Sequence, residues 1–137
     1  SLGKSLSFRA IALPESVAFQ FRRKDSGATA LIAPAVGEIT PELREAVGDS
    51  SVVLFDGTFW SNHELQALRP GARTARAMHH LPIREESLDF LRQSEAHRRI
   101  FLHVNNTNPI LMPGSRERRQ VEEAGLEIAC DGLEIAL

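Results

Sequence analysis

Apolar and polar side chains alternate over residues 7–13, SFRAIAL, and the alternation stops at Pro14. It resumes after a short gap in VAFQF, residues 17–21. A period of two marks a half-buried strand, so the pair predicts a β-hairpin. ATALIAP (28–34) is more continuously apolar up to Pro34 and predicts a third, more buried strand. The pattern then changes. TPELREAV (40–47) offers Thr40 as a helix cap, Pro41 at the first helical position and acids in the first turn. SVVLFDGTFW (51–60) predicts a buried strand running into a turn at Asp56-Gly57. SNHELQAL (61–68) is a short helix at most, and RPGARTA (69–75) is loop-like.

Helical spacing returns in REESLDFLRQ (84–93), and RIFLHV (99–104) is the next buried strand. SRERRQVEEAG (115–125) predicts a helix capped by Ser115 and ended by Gly125. LEIACDGLEIAL (126–137) reads as two short strands around the hairpin signal Asp131-Gly132. The predicted order is βββ-α-β-α-β-α-ββ, an α/β (α+β) layer with a mixed sheet, antiparallel hairpins at both ends and helices mainly on one face. The strands at 51–55 and 99–104 are apolar on both faces, so the second sheet face needs a cover.

Composition narrows the class. With 137 residues the chain suffices for one domain. A net charge of −2 argues against a nucleic-acid partner or an anionic membrane. The basic groups Arg22-Arg23-Lys24 and Arg116 to Arg119 are short, mixed with acids and read as solvated faces. A single cysteine, Cys130, rules out an internal disulfide framework, fits a reducing compartment and sits in an apolar run that predicts a buried thiol. No apolar stretch approaches a membrane span and no signal-peptide core is present, so the expectation is a soluble cytoplasmic protein. The start at SLGKSL, without methionine, suggests a tag remnant, a processed chain or a piece of a longer one.

Candidate chemistry gathers at strand ends. Asp56 closes the strand at 51–55, His103 closes the strand at 99–103, and His80 lies in the loop AMHHLPI (77–83). Side chains at the ends of neighbouring strands converge on one crevice, so these three can meet at one sheet edge. His103 could supply a neutral imidazole to a divalent metal, and Asp56 could orient a second imidazole or hold a proton. Asn105, Asn106, Thr107 and Asn108 offer amides and a hydroxyl to an oxygen-rich ligand, or simply close their own turn. His63 and His97 read as exposed and uninvolved. No HxH, HExxH, CxxC or GxSxG pattern and no phosphate-binding glycine loop is present.

LFDGTFW, ARAMHHLPI, FLHVNNTNPIL and a late DGLEI, in that order and spacing, resemble the coenzyme PQQ biosynthesis protein B family of the metallo-β-lactamase-like superfamily. The resemblance runs from about Ser7 to Leu137. It implies a four-layer αβ/βα sandwich with a metal site at the sheet rim, of which this chain looks like the C-terminal half. It further implies His103 as metal ligand, His80 near the substrate in a proton-transfer or oxyanion role, and Asp56 orienting His80. The family's implied activity is metal-dependent oxidation, the hydroxylation of a peptide-derived, tyrosine-containing intermediate of PQQ, with iron or zinc as the divalent metal.

The chain also departs from that family. The acid- and histidine-rich metal-binding run and the N-terminal αβ layer are absent, Glu38 stands near where an aspartate is usual, and His79 occupies a customary glycine. The family's cysteine-bearing zinc site has no counterpart. Too few ligands remain for a closed coordination shell, so the expected activity is incomplete in this stretch alone. Two other readings stand beside it: a non-catalytic half-domain for binding or assembly, and a hydrolase of the superfamily. The expected partners are a small peptide-derived substrate and either the missing half or a second copy pairing through the uncovered sheet face.

Overall fold

The structure, a computed structural model, describes residues 5–137; most of the opening stretch SLGKSL thus lies outside the described residues. Six strands form one sheet in chain order: β1 (Leu6–Leu13), β2 (Ser16–Arg23), β3 (Thr29–Ala33), β4 (Val52–Asp56), β5 (Arg98–Leu102) and β6 (Glu127–Ile128). β1, β2 and β3 pair antiparallel, as the alternation predicts, and β3 to β6 pair parallel. The helices α1 (Pro41–Gly48), α2 (Glu64–Leu68), α3 (Leu88–Arg92) and α4 (Arg116–Glu123) lie in the crossovers between parallel strands. Each crossover steps one strand in the same direction, and right-handed connections then place all of them on one face.

That face holds the core. Leu31 and Ala33 of β3, Val53 and Phe55 of β4 and Phe101 of β5 lie side by side in register and are fully buried. Leu43 and Val47 of α1, Leu91 of α3 and Val121 of α4 belong to the same apolar cluster. Each large side chain so buried contributes about 1.5–3 kcal/mol. Two helices start as the sequence predicts: the Leu43 amide donates to Thr40 Oγ1 at 3.1 Å and the Arg118 amide to Ser115 Oγ at 3.0 Å. The stretch expected as one helix over 84–93 instead begins with a π-helical turn, Ile83–Ser87, before α3. There the Ile83 and Arg84 amides are taken by the carbonyls of Phe59 and Trp60, which docks the helix start onto the chain leaving β4. Arg99, on the helix side of β5, reaches four carbonyls at helix ends: Nη1 to Leu91, Arg92 and Ser94 at 3.0–3.2 Å, and Nη2 to Gly125 at 3.2 Å.

The second hairpin does not form. Residues 126–137 supply only the two-residue β6, parallel to β5, and Asp131-Gly132 is a turn without a following strand. Cys130 is correspondingly exposed, not buried, because an apolar run outside a ladder has no core to enter. The chain beyond β6 lies instead against the second sheet face. Ile135 and Leu137 line a hollow of about 410 Å³ there with Leu6, Phe21, Ile32 and Leu54. Phe8, 67 % exposed, packs on Phe19 and Phe21 across the same face, so the cover is partial. Among the described residues no helix is long and apolar enough to cross a membrane.

β6 is clamped by a two-point ion pair, Arg98 Nη2 to Glu127 Oε1 at 2.7 Å and Arg98 Nε to Glu127 Oε2 at 3.0 Å. The hydrogen bond from Arg98 holds the Glu127 carboxyl below its ordinary range. A carboxyl whose folded pKa is depressed stabilises the pairing above its unfolded pKa and loses that contribution as pH falls through the folded one. The Ala129 amide, which donates to Phe101 O at 2.9 Å, should therefore exchange faster, after correction for intrinsic rate, once pH drops below the ordinary carboxylate range. Glu127→Gln should exchange fast at every pH. Equal protection in both proteins near neutrality would show that the pair does not hold β6.

Candidate functional site

The parallel strands β4 and β5 end side by side, and the chain leaving each one turns sharply. Asp56 closes β4 and is fully buried. Gly57 then runs hard against β5: its amide donates to Leu102 O at 2.8 Å, and a Cβ there would sit 2.8 Å from Phe101 Cβ. Only glycine fits this approach. The next residue, Thr58, folds back on Asp56, its amide donating to Asp56 Oδ1 at 3.0 Å. From β5 the chain enters His103 with φ of +57°, a left-handed conformation that turns it off the sheet. His79, beside His80, has φ of +61°. Such backbone costs a non-glycine residue about 1–2 kcal/mol and is held by the contacts around it.

His80 arrives from the other side, on a loop fixed at both ends. Its own amide donates to Ala75 O at 3.0 Å, and the Leu81 amide donates to Val36 O at 2.7 Å. Val36 in turn donates its amide to Asp56 Oδ2 at 2.8 Å. The loops following β3 and preceding α3 are thus tied to each other and to the one carboxylate.

The side chains meet there. Asp56 Oδ2 lies 2.7 Å from His80 Nδ1, and Asp56 Oδ1 lies 2.6 Å from Thr58 Oγ1. The same Thr58 oxygen is 3.1 Å from His80 Nδ1 and 3.0 Å from His103 Nδ1. The two imidazole rings stack at 5.8 Å between centroids and 25° between planes, and Phe59 meets His80 edge-on at 5.8 Å. An ionised carboxylate only accepts hydrogen bonds, so His80 donates from Nδ1, which in the neutral ring leaves Nε2 as the free acceptor. The His80 side chain is 16 % exposed, whereas His103 is an exposed residue at the mouth of the site.

Asp56, His80 and His103 therefore come together, with potential ligand atoms all within 4.8 Å of one another. The polar turn after His103 is divided. Asn108 is 2 % exposed, and its amide is consumed inside, donating to Gly57 O at 3.0 Å and accepting from the Ile110 amide at 3.1 Å. Asn105 donates to Thr107 Oγ1 and Thr107 to Glu64 Oε1, each at 2.6 Å. Asn105, Asn106 and Thr107 also line a cleft of about 370 Å³ with Leu65, Leu68 and Arg69. Asn108 is the exception among the four proposed ligand-binding residues: it is part of the scaffold.

Glu38 is exposed and outside the cluster, as are His63 and His97. Two contributors escape a reading of the sequence. Thr58 sits inside DGTFW, where a hydroxyl after Asp-Gly looks like turn chemistry; its spacing of two from a strand-end aspartate is the one available signal. Glu64, which also takes the Trp60 amide at 2.6 Å, gives no signal at all.

Residues 5–104 match the family model described as the β-lactamase superfamily domain. The chain is 37 % identical over 125 residues to coenzyme PQQ synthesis protein B of Cupriavidus taiwanensis, covering 90 % of this chain and 41 % of that protein. It is 40 % identical over 115 residues to the protein of the same name from Methylococcus capsulatus, covering 82 % and 38 %. Among solved structures, Zn(2+)-bound PqqB from Methylobacterium extorquens superposes with a TM-score of 0.89 at 31 % identity, over 97 % of this chain and 47 % of that one. The chain thus spans less than half the length of these relatives.

Proposed function

The chain belongs to the metallo-β-lactamase-like superfamily, in the coenzyme PQQ synthesis protein B family, and from that membership we propose that it serves PQQ synthesis through a divalent metal held at the sheet rim. The finer reading is oxidation of a peptide-derived substrate, the hydroxylation of a tyrosine-containing intermediate. One observation supports the metal site on which this reading depends: a buried carboxylate anchors a histidine through Nδ1 beside a second histidine, at the C-terminal ends of parallel strands. Metal-ligating histidines characteristically spend their other ring nitrogen on a carboxylate or a neighbouring oxygen. Both histidines here do so.

The donor set fits a borderline divalent ion such as zinc or ferrous iron. His103, exposed and anchored through Nδ1, is the ligand in this reading. His80 presents its bare Nε2 to a substrate proton, and Asp56 holds that ring in place. A metal at such a site supplies Lewis-acid polarisation and, for iron, redox chemistry. Catalytic sites usually take three protein ligands. We assign the remaining ones to a further αβ layer, of the kind expected for the other part of a relative twice this length, laid on the second sheet face.

Titrating the chain anaerobically with Zn(II) and with Fe(II) by calorimetry tests the reading. Wild type should bind weakly, with water in place of the ligands assigned to the further layer, and His103→Ala should weaken binding at least about tenfold. No binding to wild type, or equal binding by both proteins, would overturn it.

A further inference from the structure

We propose that Thr58 is a positioning residue that passes the hydrogen-bonding demand of Asp56 on to His103, so that one buried carboxylate sets the tautomer of both imidazoles. Among the described residues His103 has no carboxylate partner of its own; the group facing its Nδ1 is the Thr58 hydroxyl, at 3.0 Å. A hydroxyl has one hydrogen to give and lone pairs to receive with. The hydrogen's direction is decided by the shortest contact. Thr58 Oγ1 lies 2.6 Å from Asp56 Oδ1, the distance of a hydroxyl donating to a carboxylate. Were the hydrogen aimed at His103 instead, two oxygen lone pairs would face each other at that separation, beside a carboxylate with no solvent access.

The Thr58 oxygen therefore turns its lone pairs toward the rings. His103 must then carry its proton on Nδ1 and leave Nε2 bare, the same form that Asp56 imposes directly on His80. The hydroxyl is not needed for the turn, because the Thr58 amide already closes it on Asp56 Oδ1 at 3.0 Å. The side chain is also held still: Thr58 is 6 % exposed, and a β-branched side chain has few rotamers to choose from. Naming a metal as the acceptor of that bare nitrogen rests on the function proposed above; the tautomer does not.

Histidine-labelled, metal-free protein in mildly alkaline buffer, about pH 8, reads the tautomer directly through two-bond proton–nitrogen correlations. In wild type both His80 and His103 should show Nδ1–H. Thr58→Val should release His103 toward Nε2–H while His80, still held by Asp56, stays unchanged; Thr58→Ser should behave as wild type. In a parallel Zn(II) titration, Thr58→Val should bind about tenfold more weakly or worse, and Thr58→Ser within about twofold of wild type. An Nε2–H tautomer for His103 in wild type overturns the proposal without any variant, which covers the case of a valine protein that does not fold. So does a folded Thr58→Val with an unaltered His103. Should the tautomers behave as expected while wild type binds no Zn(II), the relay stands and the metal reading falls.

Discussion

Asp56→Ala is expected to lower stability by about 3–5 kcal/mol, the cost of removing one partner from a buried, fully used polar cluster. Four donors converge on this carboxylate: the amides of Val36 and Thr58, the Thr58 hydroxyl and His80 Nδ1. Alanine leaves all of them facing a void in a position with no solvent access. It also removes the anchor shared by the loop after β3 and the loop bearing His80, leaving the Leu81 amide to Val36 carbonyl bond as their remaining tie. Asp56→Asn keeps the volume but turns an amide donor toward donors, so it should lose nearly as much. Urea unfolding followed by circular dichroism measures the loss, with His103→Ala as the comparison. That exposed residue should cost under about 1 kcal/mol. A similarly small loss for Asp56→Ala would mean that water enters the site and that the carboxylate is not the keystone of the rim.

The second large effect lies at the other end of β5, away from the chemistry. Arg99→Met keeps the aliphatic stem but removes a guanidinium that gathers the carbonyls of Leu91, Arg92, Ser94 and Gly125. Leu91 O also takes the Ser94 amide at 3.0 Å, but the other three carbonyls lie where intrahelical donors run out, and the positive charge also suits the negative end of a helix. With several acceptors orphaned at once the expected loss is about 2–4 kcal/mol. Arg99→Lys should recover only part of it, because one ammonium cannot span the end of α3 and the residue after α4 together. Chemical denaturation of the three proteins checks this, and full rescue by lysine would show that charge, not the fork geometry, does the work.

Legibility in the sequence followed local physics. β1 to β4 and α1 announced themselves through alternation, prolines and a capping threonine, all of which act within a few residues. α4 did the same through Ser115 and Gly125. The C-terminal segment reads as a hairpin in sequence, but its apolar alternation and Asp-Gly turn are satisfied equally by packing on a sheet face. Whether such a segment pairs with itself or joins β5 is decided by a strand far away in the sequence. Cys130 is exposed for the same reason. At the site, Asp56, His80 and His103 were visible because each sits where an apolar run or a tight loop stops. Thr58 was not, because its importance lies in three oxygen–nitrogen and oxygen–oxygen distances across residues 56, 80 and 103, which no spacing in the chain encodes. Asn108 carried the opposite lesson: a polar residue in a polar turn was already spent on the carbonyl of Gly57.

The order of the sheet has a kinetic side. Every strand pairs only with strands adjacent to it in the chain. No strand has to wait for a partner made much later, and none must be threaded between two that are already paired. During synthesis from the N-terminus the antiparallel β1–β3 unit can close first, from local contacts, and present an edge to β4, then to β5. The carboxylate and threonine arrive with β4, His80 follows on its loop, and His103 emerges last, at the end of β5. The rim is thus assembled in one direction, around an acid that is in place before either base reaches it.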